Sequence, residues 1–226
     1  MDNKLSIKAG RKALDILRSE GLKLERVKVL AGASGAAKYL VLTGIDRLLI
    51  ALLANRTTVL HTIGTSIGAF RMACFCHPEP QKAYDRLQDA YIHQHYHKRP
   101  SAEEVSLKSK LIVDAFIADS EISSILEHPS MRLTFLSNRC KGLLVSDNKA
   151  LQIMGLSLAA LTNFISRDAL GWYFERALFH SPLSSPPFCF DGSVSYANPY
   201  PQRKKLQAST AFNRLYSHCD AWHWRY

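Results

Sequence analysis

Ser66 stands in the sequence's most informative chemical setting, Gly64-Thr65-Ser66-Ile67-Gly68, which fits the pattern G-x-S-x-G. Flanking glycines permit a strained turn that lifts a serine hydroxyl above a sheet, where it can attack a carbonyl carbon. The residues before it, Thr57 to Ile63, are rich in β-branched types and read as a strand, with Gly64 to Gly68 as a turn and a helix from Ala69 onward. A hydroxyl so placed lies near the positive end of a helix dipole and beside unpaired N–H groups, both of which favour an alkoxide-like transition state. Taken alone, the pentapeptide is equally a glycine-bracketed turn carrying a solvent-facing serine.

Acyl transfer also needs backbone donors aimed at the developing oxyanion, and small residues let the backbone approach it. Gly32, Ser34, Gly35 and Ala36 supply such a loop between a short strand, Val27 to Ala31, and a helix from Lys38 to about Ala54. Neighbouring parallel strands would bring this loop and the serine turn to one edge of a sheet. A phosphate-binding or purely structural turn is the alternative. Neither the Lys-Ser/Thr of a P-loop nor a GxGxxG pattern accompanies it.

The stretch Ser34-Gly35-Ala36-Ala37-Lys38-Tyr39-Leu40-Val41-Leu42-Thr43-Gly44-Ile45 resembles the glycine-rich oxyanion segment of the patatin-like phospholipase family, with Lys38 at that segment's basic position. Ser66 falls on the family's nucleophile, and Phe190-Asp191-Gly192-Ser193-Val194-Ser195-Tyr196-Ala197-Asn198-Pro199 resembles its Asp-Gly segment. The three segments come in the family's order. The resemblance implies a three-layer α/β fold and hydrolysis of lipid carboxylic esters by a Ser-Asp dyad, with Asp191 as general base toward Ser66 and no cofactor or metal. A hydrogen-bonded, partly desolvated carboxylate can take a serine proton, so the implied dyad is chemically sound.

Two other readings stay open. Asp-Gly is a common turn dipeptide, and if Asp191 is only that, Ser66 lacks its base and the chain is an inactive lipid- or partner-binding relative. Alternatively, His218 or His223 follows Asp191 in the order Ser, Asp, His of an α/β-hydrolase triad. His93, His95 and His97 invite a metal reading, but on a helix His95 points away from the other two. A basic helix end is the simpler account. The apolar tract Leu151 to Ile165 is expected to be buried core, with the path of an acyl chain as its alternative use.

Positioning the serine and the oxyanion loop requires two strands, each followed by a helix, which calls for a mainly parallel central sheet with helices on both faces. Further helices are expected at Gln81 to Tyr96, Ala102 to Ala118 and Leu151 to Phe179. Further strands are expected at Arg132 to Leu136 and Gly142 to Val145, and Ser181 to Pro187 reads as a loop. The resulting organisation is a basic amphipathic N-terminal helix within residues 1–23, an acyl hydrolase domain over 24–200 and a tail over 201–226.

Over 226 residues, 47% hydrophobic and 21% charged content is ordinary globular composition, which excludes a disordered or fibrous chain. The net charge of +10 favours polyanions or an anionic membrane surface as contacts. Basic residues are spread along the chain without an RNA-binding signature, so nucleic acid is not an expected partner. Five cysteines without CxxC spacing indicate neither a disulfide framework nor a zinc ribbon. The charged N-terminus lacks the apolar centre of a secretory signal, and both long apolar tracts fall short of the ~20 residues that span a bilayer. A cytoplasmic protein, either soluble or in peripheral contact with a membrane, is the expectation.

Overall fold

The computed structural model describes residues 8–187 apart from 99, 101 and 147. Among them a mixed sheet of four strands runs in the order β1 (Val29–Gly32), β2 (Leu60–Thr65), β3 (Met131–Cys140), β4 (Phe174–His180). The first three strands are parallel and β4 is antiparallel to β3, so the expected α/β class holds and the sheet is parallel except at one edge.

Helix α1 (Arg11–Glu20) has no buried residue and stops at Gly21, whose φ of 75° suits a glycine cap. The segment after β1 is a 3-10 helix over Ala36–Leu42 that passes into α2 (Thr43–Leu53), where the sequence suggests one continuous helix. Arg56 then donates to the carbonyls of Leu24 and Val27, tying the turn after α2 to the chain that enters β1.

In β2 the side chains alternate: Leu60, Thr62 and Gly64 are buried and their neighbours less so, the period of two that a half-buried strand shows. The strand extends through Gly64 and Thr65, beyond the expected end at Ile63, because both pair with β3. Helix α3 (Ile67–Phe75) is buried along most of its length and packs on β1, β2, β3 and α4 (Pro80–Ile92). A helix apolar on nearly every side belongs in a core. Around it lie Leu60, Tyr84, Leu87, Phe116 and Leu133. Proline at the start of α4 is favourable, since the first helical N–H has no partner to lose. Helices α5 (Ala102–Phe116) and α6 (Ile122–Leu126) complete the passage to β3.

Three expectations are corrected beyond β3. Gly142 to Val145 forms a 3-10 helix, because Gly142 turns the chain at a φ of 57° and ends the strand. The helix expected over Leu151 to Phe179 is α7 (Lys149–Ile165), capped at its start by the Asn148 side chain. Ser166 interrupts it with an extended backbone, a 3-10 helix follows over Arg167–Trp172, and the aromatic run then joins the sheet as β4. Nor is α7 the buried helix expected: Gln152 and Ala159 are buried, but Ile153, Leu156, Leu161, Phe164 and Ile165 are exposed among the described residues.

Candidate active site

Adjacent parallel strands bring the serine turn and the small-residue loop together. Gly32, the last residue of β1, is in register with Gly64 of β2, so the loop after Gly32 and the turn after Thr65 leave the same edge of the sheet. That edge, at the carboxyl ends of parallel strands, is where α/β sheets place their ligands.

Ser66 is an exposed residue between the end of β2 and the start of α3, with φ 51° and ψ −136°. This positive φ on a non-glycine residue costs on the order of 1–3 kcal/mol and persists only where surrounding structure imposes it. Three glycines do so. A Cβ on Gly64 would lie 2.4 Å from the Gly68 carbonyl carbon, and one on Gly68 would lie 2.3 Å from the Gly32 oxygen. Their absence lets the first turn of α3 press directly onto the ends of β1 and β2. With α3 seated this closely, the chain must leave β2 and enter the helix within one residue, and Ser66 takes the strain.

Across from it, Ser34 and Ala36 are exposed, and Gly35 (φ 146°) and Ala36 (φ 49°) both have positive φ. The 3-10 helix begins at Ala36, with Lys38 N–H donating to the Gly35 carbonyl at 3.1 Å. The Lys38 side chain is exposed. On α3, helix geometry leaves the Ile67 and Gly68 N–H groups without acceptors inside the helix. The N–H of the residue after a nucleophilic serine is one donor of an elbow-type oxyanion hole, so Ile67 joins the residues singled out from sequence.

Behind both turns is a buried ion pair. Arg71 donates from Nε to Asp46 Oδ2 (2.6 Å) and from Nη2 to Asp46 Oδ1 (2.7 Å). Its Nη1 donates to the Ala33 carbonyl (2.8 Å), and the Tyr84 hydroxyl donates to Asp46 Oδ2 (2.5 Å). Burial works against the guanidinium charge, but the Asp46 hydrogen bonds and charge outweigh it and hold the Arg71 pKa above its ordinary value. Burial and the bond to Asp46 push the Tyr84 phenol up as well. Neither Asp46 nor Arg71 is among the candidates singled out from sequence; the lone charge within the otherwise apolar α3 was the available signal, whereas in α2 Asp46 stands beside Arg47.

Cys74 and Cys76 are free and fully buried; burial raises both thiols, Cys76 to about 12, so neither supplies a thiolate near neutral pH. The histidine cluster does not converge: His93 pairs with Asp89 and His97 with Glu104, and no group of three metal-ligating side chains occurs among the described residues. Asp191, His218 and His223 lie outside the described residues, as do residues 201–226. No family model matches the chain, and comparison with curated proteins and with solved structures likewise gives no match. What the site can do therefore rests on its geometry: a strained, exposed hydroxyl at a helix N-terminus, faced by a loop with backbone donors.

Proposed function

We propose that the chain is a serine lipid acyl hydrolase of patatin-like type, with a patatin-like three-layer fold. The observation that carries this reading is the positive φ of Ser66, imposed by the contacts among Gly32, Gly64 and Gly68, beside the loop from Ser34 to Ala36. A decorative surface serine has no need of strain at the junction of a strand and a helix.

In this reaction the Ser66 Oγ attacks the ester carbonyl carbon while its proton passes to the Asp191 carboxylate. The carbonyl π electrons move onto oxygen, and the oxyanion accepts hydrogen bonds from Ile67 N–H and from the loop at Ser34, Gly35 and Ala36; Gly32 supplies the room for α3. Collapse of the tetrahedral intermediate expels the alcohol, which takes the proton from Asp191 and leaves acyl-Ser66. Water then attacks the acyl carbon, Asp191 again taking the proton; the bond from the acyl carbon to Ser66 Oγ breaks, Oγ takes that proton back from Asp191, and a carboxylic acid departs. No cofactor enters these steps. Lipid esters are the proposed substrates through the resemblance of the two glycine-bearing segments and Lys38 to the patatin-like family.

A fluorophosphonate probe tests the reading directly. Ser66 is expected to be labelled and short-chain esters to be hydrolysed, with both lost in Ser66→Ala while circular dichroism stays unchanged. Labelling that persists in Ser66→Ala, or a parent that neither labels nor hydrolyses any ester, overturns it and favours the inactive relative.

A further inference from the structure

We infer that Arg71, held by Asp46 and Tyr84, is a positioning residue that sets the oxyanion loop by gripping the Ala33 carbonyl. The inference rests on the acyl hydrolase reading for its chemical meaning, but the grip is a matter of geometry. All three side chains are buried, with 4% of Arg71, 2% of Asp46 and none of Tyr84 exposed. A guanidinium is a planar fork: with Nε and Nη2 on the two Asp46 oxygens, its plane is fixed and Nη1 can be aimed at one further acceptor. That acceptor is the carbonyl of Ala33, the residue between β1 and Ser34.

A trans peptide points its N–H roughly opposite to its C=O. Fixing the Ala33 carbonyl toward Arg71 therefore fixes the Ser34 N–H away from the protein interior that holds Arg71. Ser34 is exposed, on the sheet edge shared with Ser66. Arg71 and Ser66 belong to one rigid element as well: Arg71 is on α3 and Ser66 is that helix's N-cap, about 7.5 Å apart along the axis at 1.5 Å per residue. The loop is thus referenced to the nucleophile's own helix and, through Asp46, to α2.

Stability alone does not account for the arrangement. A buried ion pair is often no more stabilising than well-packed apolar residues of the same volume. Apolar residues cannot donate to Ala33. Lysine keeps the charge opposite Asp46 but cannot make two bonds to the carboxylate and a third, planar one to the backbone.

Hydrogen exchange and fluorophosphonate kinetics on the full chain, with Arg71→Lys and Tyr84→Phe, test this. In Arg71→Lys the exchange of the Lys38 amide, which bonds the Gly35 carbonyl within the loop, is expected to rise about tenfold, the loss of roughly one net hydrogen bond, while amides of α3 and α4 keep the parent rates. The second-order labelling rate of Ser66 and kcat for a soluble ester should fall about tenfold or more, with KM little changed, since a displaced donor is missed chiefly in the transition state. Unchanged loop exchange overturns the inference, and so does a loosened loop with parent kcat and labelling. If Arg71→Lys raises exchange throughout α2 to α4, Tyr84→Phe decides: a smaller rise confined to the Lys38 amide supports the grip, and none overturns it. A parent that resists labelling, with loop exchange still rising selectively in Arg71→Lys, overturns the hydrolase reading and leaves the grip standing.

Discussion

Ser66, Arg71 and Asp191 stand in different relations to the proposed reaction. Ser66 bears the strain, Arg71 is aimed by its partners, and Asp191 is assigned through the resemblance of its segment. Three substitutions separate the dyad from its alternatives. Asp191→Asn is expected to lower kcat by about a hundredfold or more, because an amide cannot take the serine proton. His218→Ala and His223→Ala should each leave kcat within about twofold of the parent, since a dyad uses no imidazole. A histidine substitution as damaging as Ser66→Ala would replace the dyad by a triad. Activity that survives Asp191→Asn would remove Asp191 as the base while leaving the nucleophile in place.

Helix α3 and strands β1 and β2 form the frame in which those residues act, and their contact is backbone on backbone. Gly64→Ala or Gly68→Ala would drive a methyl group into main-chain atoms that cannot rotate aside. Each is expected to destabilise by about 3 kcal/mol, the upper part of the overpacking range, lowering Tm by roughly 6–12 °C for a chain of this length. Gly44 in α2 is the control, because nothing lies within 4 Å of a Cβ there. Gly44→Ala should stabilise by about 0.4–1 kcal/mol through loss of unfolded-state freedom. Thermal melts of the three variants check both signs, and equal melting of Gly68→Ala and Gly44→Ala would show that the close approach has no energetic weight.

This frame was also the most legible part of the sequence. Small residues between an apolar strand and an apolar helix have few structural uses, so both turns could be placed from composition and spacing alone. The second half was harder to read. Leu151 to Phe179 is apolar enough to suggest one helix, but the ending at Ile165 comes from the Ser166 backbone and from β4 pairing with β3, a long-range contact with no local mark. The grip of Arg71 on Ala33 was hidden for the same reason, since residues 38 positions apart meet only in the folded chain.

Across the whole molecule, net charge and exposed apolar side chains set the expected behaviour at surfaces. No helix among the described residues is long and apolar enough to cross a membrane. With a net charge of +10, binding to vesicles containing anionic lipid is expected to exceed binding to neutral vesicles and to weaken with salt, as the Debye length falls from ~10 Å at 0.1 M to ~3 Å at 1 M. Cosedimentation across a salt series checks this, and equal binding to both vesicle types at every salt concentration would contradict it. The pairing of Gly32 with Gly64 also has a kinetic side. Helices such as α2 and α4 can form from local contacts, whereas parallel β1 and β2 meet only after the intervening chain has closed into a loop, an entropic cost that slows non-local pairing. Both halves of the proposed site come into being at that closure. A nascent or refolding chain can therefore be rich in helix and still hold no site, and the chemistry proposed for Ser66 can begin only with the parallel pair.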